Sequence, residues 1–239
     1  LGALAQHAAP FDLAGRTVLD IGANIGTTTV PLLRRFGARR AIAIEPEPFN
    51  QRMLALNCLD NGVLDRVAIH AIALSDRDGE VTLALSESNF GDHRVLVDGE
   101  RVAGDFDEQR RTTVRVPARR LDTLVEQGDV DVGALGLVWI DAQGHEGQIL
   151  AGARRLLGGP VPIVTELWPY GLRRHGGLER MCELLAAHYD AVVEMGTPQR
   201  PIAPTVVPTT QLDALVARYD GVSFTDLLLV PAHARGGTT

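Results

Sequence analysis

Cysteine, aromatic residues and long apolar runs are all scarce in this chain, and each shortage closes off a class of protein. The two cysteines in 239 residues, Cys58 and Cys182, lie far apart, each inside an apolar helical pattern. Neither a disulfide framework nor a multi-cysteine zinc module can be built from them. They read as buried free thiols of a reducing cytoplasm. Aromatics are 5% of the chain, and no run of Lys and Arg is interleaved with them as phosphate-backbone neutralisation would require. With 23 Lys+Arg against 30 Asp+Glu and a formal charge of −7, the balance argues against a dedicated nucleic-acid binder. The longest apolar stretches, Ala41 to Ile44, Leu135 to Ile140 and Leu227 to Val230, fall far short of the roughly 20 residues that cross a bilayer. No signal peptide is visible in the sequence as given, which begins at Leu1 and not at Met.

What is present is the composition of a soluble globular protein, 45% hydrophobic and 22% charged, and the length suits one domain over 1–239, with 1–16 as an N-terminal extension. From Thr17 onward β-type and helical runs alternate, the signature of an α/β fold with a mostly parallel sheet and crossover helices on both faces. Strands are expected at Thr17 to Ile21, Ala41 to Glu45, Val67 to Leu74, Leu135 to Ile140, Ile163 to Leu167, Ala191 to Glu194 and Phe224 to Val230. Helices are expected from about Thr27 to Phe36, where Gly37 supplies the stop, and over Leu121 to Glu126 and Leu178 to His188. Two more are expected where Phe49, Met53, Leu56 and Leu59, and later Ile149, Leu150, Ala153, Leu156 and Leu157, recur at helical spacing. Residues 75–117 break the rhythm and read as a β-rich insertion, with Val81 to Leu83 paired to Val114 to Val116 and a flexible middle from Asp98 to Gln109. Gln199 to Thr210, with three prolines, reads as a loop.

The strongest local signal is Val18-Leu19-Asp20-Ile21-Gly22-Ala23-Asn24-Ile25-Gly26, a strand turning sharply into a helix. Gly22 and Gly26 would let a ligand approach the backbone beside unpaired helix N–H groups, and a side chain at Gly22 would fill the ligand's space while leaving the fold intact. Glu45-Pro46 closes the next strand, where a carboxylate can accept both hydroxyls of a ribose. Either feature alone suits an ordinary tight turn or a solvated strand end. Together they favour a nucleoside ligand. A nicotinamide-dependent oxidoreductase would carry a second fingerprint glycine where Asn24 stands, and a non-catalytic nucleoside-binding module is the other alternative.

These residues, together with Ala71-Ile72-Ala73-Leu74-Ser75-Asp76, Leu121-Asp122-Thr123-Leu124, Trp139-Ile140-Asp141-Ala142-Gln143-Gly144-His145-Glu146 and Val164-Thr165-Glu166-Leu167, resemble the FkbM family of Rossmann-like, S-adenosylmethionine-dependent methyltransferases. The resemblance spans about Val18 to Trp168. It implies a doubly wound, mostly parallel seven-stranded sheet whose last strand is antiparallel. It also implies O-methylation of a hydroxyl on a small secondary metabolite or a sugar or glycan acceptor. Carried over, Asp20, Gly22, Asn24 and Gly26 would surround the methionine part of the cofactor and Glu45 would hold its ribose. Ala71-Ile72-Ala73 stands where many such enzymes place an acidic residue for the adenine, leaving apolar packing, Ser75 or Asp76 for that task.

Methyl transfer to an alcohol needs alignment and a base. Asp141 and Glu166 are expected at adjacent strand ends, with His145 nearby, and these three are the catalytic candidates. Asp141, Glu146 and Glu166 could equally hold Mg²⁺ or Mn²⁺ through oxygen ligands, lowering the acceptor's pKa. A plainer reading makes Asp141 a helix cap and Glu146 a partner of the helix dipole. Asn89, His93 and Arg94 could orient the acceptor and Trp168 could wall its pocket, against the alternatives of a polar turn and a core Trp.

Overall fold

The computed structural model describes residues 11–87, 89, 91–96, 111–197 and 200–230. Most of the expected N-terminal extension and the expected flexible middle of the insertion lie outside them. Chain order begins with β1 (Thr17–Ile21), α1 (Thr29–Arg34), β2 (Arg40–Ile44), α2 (Pro48–Asp60) and β3 (Val67–His70). A smaller sheet follows, built from β4 (Ala73–Leu74), β5 (Gly79–Leu85), β6 (Arg94–Leu96) and β7 (Thr112–Arg119). The chain returns through α3 (Leu121–Gln127), β8 (Leu135–Ile140), α4 (Glu146–Ala151), β9 (Ile163–Leu167), α5 (Pro169–Arg174) and α6 (Leu178–His188). It ends with β10 (Ala191–Gly196), β11 (Pro201–Pro208), α7 (Leu212–Val216) and β12 (Thr225–Leu229).

The main sheet has the spatial order β11-β10-β12-β9-β8-β1-β2-β3. Strands β3, β2, β1, β8 and β9 are mutually parallel, and β12 runs antiparallel to both of its neighbours, β9 and β10. The seven-stranded arrangement is therefore present, and β11 extends it by pairing antiparallel with β10. This corrects the loop expected at Gln199 to Thr210. Pro201, Pro204 and Pro208 are tolerated because an edge strand needs ladder donors on one side only.

Side chains alternate across the sheet with the period of a strand. On β1, Leu19 and Ile21 pack with α4 and α6, while Val18 packs with Leu32 and Leu33 of α1 and Leu54 of α2. On β12, Leu227 and Leu229 join the first layer and Leu228 the second. The helix expected through Ala153, Leu156 and Leu157 stops at Ala151, with Gly152 as its C-cap, and two further expectations fail for identifiable reasons. The third strand stops at His70, because Ala73 and Leu74 leave the main sheet and pair with Ala118 and Arg119 of β7. That switch carries the chain over the strand ends and starts the smaller sheet, whose β5 and β7 pair as Val81 with Val116 and Leu83 with Val114. The second failure is in α2. It starts as read, with Pro48 in the first turn and the Glu47 carboxylate accepting the Asn50 N–H at 2.6 Å. Its inward face, however, is Asn50, Leu54 and Cys58, while Phe49, Leu56 and Leu59 are exposed. Cys58 is buried as expected and Cys182 half-buried. Among the described residues, no helix is long and apolar enough to cross a membrane.

The inward face of α2 is open to direct test. Leu54→Ala should cost about 2–5 kcal/mol, the scale of a fully buried leucine. Leu56→Ala, one half-turn away and exposed, should stay within about 0.5 kcal/mol. Denaturant unfolding of the two variants measures both, and equal losses would refute this orientation.

Candidate active site

The turn after β1 is organised by one backbone approach. A Cβ placed on Gly22, whose φ is +81°, would lie 1.9 Å from the Asp141 carbonyl oxygen. Glycine is thus required here by the junction of β1 and β8, where the Asp141 N–H also donates to the Ile21 carbonyl at 3.0 Å. Gly26 serves packing as well, its missing Cβ leaving room for Leu54 of α2. Between these glycines Asn24 adopts φ 49° and donates its N–H to Glu45 Oε2 at 2.8 Å. Glu45 Oε1 accepts the Glu47 N–H, also at 2.8 Å, so the strand-end carboxylate pins the glycine loop to β2.

Above this turn lies a first cavity lined by Gly22, Asn24, Glu45 and Asp141, with apolar walls from Ala73, Leu74 and Ile149. The β4 switch supplies two of those walls. Of the residues expected around the cofactor, Gly22, Asn24 and Glu45 border this cavity. Asp20 and Gly26 lie behind it, Asp20 buried with its carboxylate accepting from the Thr29 hydroxyl. Ser75 and Asp76 border a neighbouring groove that reaches the cavity's His145 from the other side. His93 borders the first cavity, its Nδ1 accepting the Ser86 N–H at 3.0 Å.

A second cavity is lined by Asn89, Arg94, Glu166, Trp168 and Phe224. Gly91 and Gln143 border both cavities and mark where they meet. Arg94 is buried, lies 4.6 Å over the Trp168 ring and donates through Nε to Asp92 at 2.6 Å. Asp92 also pairs with Arg111. Asn89, Arg94 and Trp168 thus share a cavity, whereas His93, expected with them, borders the first cavity instead. The three carboxylates Asp141, Glu146 and Glu166 converge, each with an oxygen within 4.8 Å of the others. Asp141 caps no helix; its Oδ1 accepts from Gln143 Nε2 at 2.7 Å. Glu146 is fully buried and braces the loop, with Oε1 2.8 Å from the Ala142 nitrogen and Oε2 3.0 Å from that of Gly144. His145 borders the first cavity and the groove but not the second cavity.

The Methyltransferase FkbM domain family matches residues 20–168 of the chain. The chain belongs to the FkbM methyltransferase family. The curated 2-O-methyltransferase NoeI of Sinorhizobium fredii (strain NBRC 101917 / NGR234) is 27% identical over 165 residues, which is 62% of this chain and 62% of that protein. The crystal structure of the methyltransferase FkbM from Methylobacillus flagellatus KT has the same fold, with a TM-score of 0.52 and 18% identity over 91% of this chain and 44% of that one. The chain therefore spans less than two thirds of the curated relative and less than half of the crystallised protein.

Electrostatics in this member of the FkbM family is dominated by acids that burial keeps from ionising. Burial, reinforced by the charges of Asp141, Glu146 and Asp226, pushes the Glu166 carboxyl well above its ordinary range, with Arg94 opposing. Asp141 is accessible to solvent, yet the crevice walls strip enough hydration to raise it, against the Gln143 hydrogen bond. Burial pushes Glu146 up to about 7, and burial with the charge of Asp141 does the same to Asp226. Asp226 sits directly opposite Glu166 in the β12–β9 register. Sequence reading missed it, although a carboxylate opening the apolar run Leu227-Leu228-Leu229 was a usable signal. Gln143 was missed too, because its role rests on a φ of 52°, which no sequence pattern announces.

Two outcomes follow for this FkbM-family chain. Gly22→Val should lose fold stability itself, seen as a large fall in thermal midpoint, because the added carbons meet backbone rather than ligand space. Asp20, Glu45, Glu146 and Asp226 all have folded-state values of about 7, above their ordinary ones. The folded state therefore holds protons that the unfolded chain releases near pH 4, and the stability they contribute is lost as pH rises through 7. Burial drives His145 down to about 4 and His175 to about 3, which works in the opposite sense, but the raised carboxyls outnumber them. Thermal unfolding should accordingly show greater stability at about pH 5.5 than at about pH 8, and Asp226→Asn should narrow the difference.

Proposed function

We propose that the protein transfers a methyl group from S-adenosylmethionine to a hydroxyl of a small or glycosidic acceptor, with the cofactor in the first cavity and the acceptor in the second. The observation that carries this reading is the meeting of the two cavities at Gln143 and Gly91 beside Asp141 and Glu166. The residues present fit the cofactor. Asn24 Oδ1 is buried without a hydrogen-bond partner, a vacant acceptor for the amino group of a methionine part. Each Glu45 oxygen accepts one backbone N–H and keeps a lone pair for a ribose hydroxyl. Ala73, Leu74 and Ile149 offer apolar walls to a flat base. When bound, the cofactor supplies an electrophilic methyl on a sulfonium sulfur.

The chain's own residues then align the acceptor and take its proton. Asp141, raised by burial, and Glu166, raised by burial and by the charge of Asp141, share a base role: one carboxylate accepts the hydroxyl proton as the oxygen–carbon bond forms and the carbon–sulfur bond breaks, the electron pair staying on sulfur. Gln143 Nε2 orients Asp141. Trp168 and Phe224 present ring surface beside the polar Asn89 and Glu166, a mixture that suits a sugar ring with its apolar faces and hydroxyl rim. The 2-O-methyltransferase name of the relative supports a hydroxyl oxygen as the target. The convergence of Asp141, Glu146 and Glu166 favours a second reading, a divalent cation that lowers the acceptor's pKa. Against it, both Glu146 oxygens already accept backbone N–H groups.

Glu45→Gln keeps one of the two loop acceptors and, by also losing a ribose acceptor, should weaken S-adenosylhomocysteine binding by about 1.5–3 kcal/mol in calorimetry. An unchanged affinity would move the ribose elsewhere. With an acceptor found by screening hydroxyl compounds against methyl-labelled cofactor, Asp141→Asn and Glu166→Gln should each cut transfer about 10²-fold at nearly preserved cofactor affinity. Turnover abolished by chelator and restored by Mg²⁺ or Mn²⁺ would decide for the cation. Chelator-insensitive turnover would leave the shared carboxylate base.

A further inference from the structure

His145 borders the first cavity among its apolar walls, yet it lies away from the cavity where the acceptor would sit. The residue is 4% exposed, and its Nε2 lies 3.0 Å from Ser75 Oγ. The Ser75 hydroxyl donates onward to Asp76 Oδ1 at 3.4 Å, and Asp76 Oδ2 accepts from Arg180 Nη1 at 2.6 Å. This chain of donors selects a tautomer. With its proton directed at Asp76, Ser75 Oγ must accept from the imidazole, so Nε2 carries the ring proton and Nδ1 is left as a bare acceptor. That Nδ1 is buried and has no hydrogen-bond partner in the protein. His175, edge-on at 6.0 Å between ring centroids, packs against the imidazole from the side.

A buried acceptor beside a cavity calls for a donor on whatever fills that cavity. We propose that His145 Nδ1 accepts a hydrogen bond from the exocyclic amino group of the adenine, so that the site selects a 6-amino purine over a 6-oxo one. The proposal rests on the reading of the first cavity as an S-adenosylmethionine site and deepens it. It accounts for the absence of a carboxylate at Ala71-Ile72-Ala73, since a neutral imidazole takes over the recognition. It also changes the roles expected of three residues. His145 reads the cofactor instead of serving as base, while Ser75 and Asp76 act through it as positioning residues that hold its tautomer.

Calorimetry on the full chain with S-adenosylhomocysteine and its 6-oxo analogue S-inosylhomocysteine tests this. The wild-type protein should bind the adenosyl compound at least about 10-fold more tightly, the worth of one hydrogen bond and the mismatch that replaces it. His145→Ala should lose about 10-fold for the adenosyl compound and under about 2-fold for the inosyl one. His145→Asn, whose amide oxygen can stand near the Nδ1 position, should keep part of the preference, and Ser75→Ala should reduce it. In ¹⁵N spectra of the labelled protein, His145 Nδ1 should be unprotonated and should shift on adding the adenosyl but not the inosyl ligand. Equal wild-type affinities, or equal losses for both ligands in a folded His145→Ala variant, would overturn the role of His145 while leaving the cofactor site standing. If the folded wild-type protein bound neither ligand, the cofactor reading would fall and this proposal with it. Should His145→Ala not fold, the wild-type ligand pair and the Asn variant decide the matter.

Discussion

The close approach of Gly22 to the Asp141 carbonyl is the constraint on which the rest of the site depends. Strands β1 and β8 are parallel neighbours at the centre of the sheet, and their ends can meet only because no Cβ stands at Gly22. From that junction the chain leaves in two directions. One runs through Asn24 to the Glu45 carboxylate, which ties β1 to β2; the other runs through Gln143 to Glu146, whose carboxylate clasps the Ala142 and Gly144 N–H groups. Two residues outside glycine, Asn24 and Gln143, hold positive φ there. Both border the first cavity, so the strained backbone is gathered where a ligand would be held and not dispersed through the fold.

A second constraint is electrostatic. Parallel strands deliver their C-terminal ends to one edge, and this chain places Asp141 just after β8, Glu166 one residue before the end of β9 and Asp226 opposite it near the start of β12. Gathered in one poorly hydrated crevice, these groups cannot all be ionised without large cost, so they hold protons at pH values where free carboxylates would not. The arrangement opposes stability at neutral pH and provides groups poised to exchange a proton there, the usual condition of a catalytic centre. Arg94, stacked on Trp168 and paired with Asp92, is the cation whose charge opposes the rise at Glu166.

The smaller sheet does more than decorate the larger one. Because Ala73 and Leu74 pair with β7 instead of continuing β3, the chain crosses over the strand ends and walls the first cavity. The same sheet's β6 begins at Arg94 and so brings a residue from the insertion to the second cavity. One excursion of the chain thus supplies parts of both cavities.

Much of this was legible before any fold was known. Alternating β and helical periods determine the α/β architecture, since each period dictates which side chains can face a common layer. The short motifs around Gly22, Glu45, Asp141 and Glu166 fall at strand ends, and strand ends of a parallel sheet share one edge, so their convergence followed from order along the chain. Other features were decided by tertiary structure because they depend on neighbours distant in sequence. The inward face of α2 was set by which residues meet β1 and not by its own apolar spacing. The prolines of β11 became strand because an open sheet edge lay within reach. That a Cβ at Gly22 or Gly26 would meet protein, the Asp141 carbonyl in one case and Leu54 in the other, depends on strands and helices brought together from far along the chain. Asp226 gained its place from a register opposite Glu166, and Gln143 from a backbone conformation. The direction of the proton on His145 depends on Ser75, 70 residues earlier, because a tautomer is set by the partner in space and leaves no trace in the residue's own surroundings along the chain.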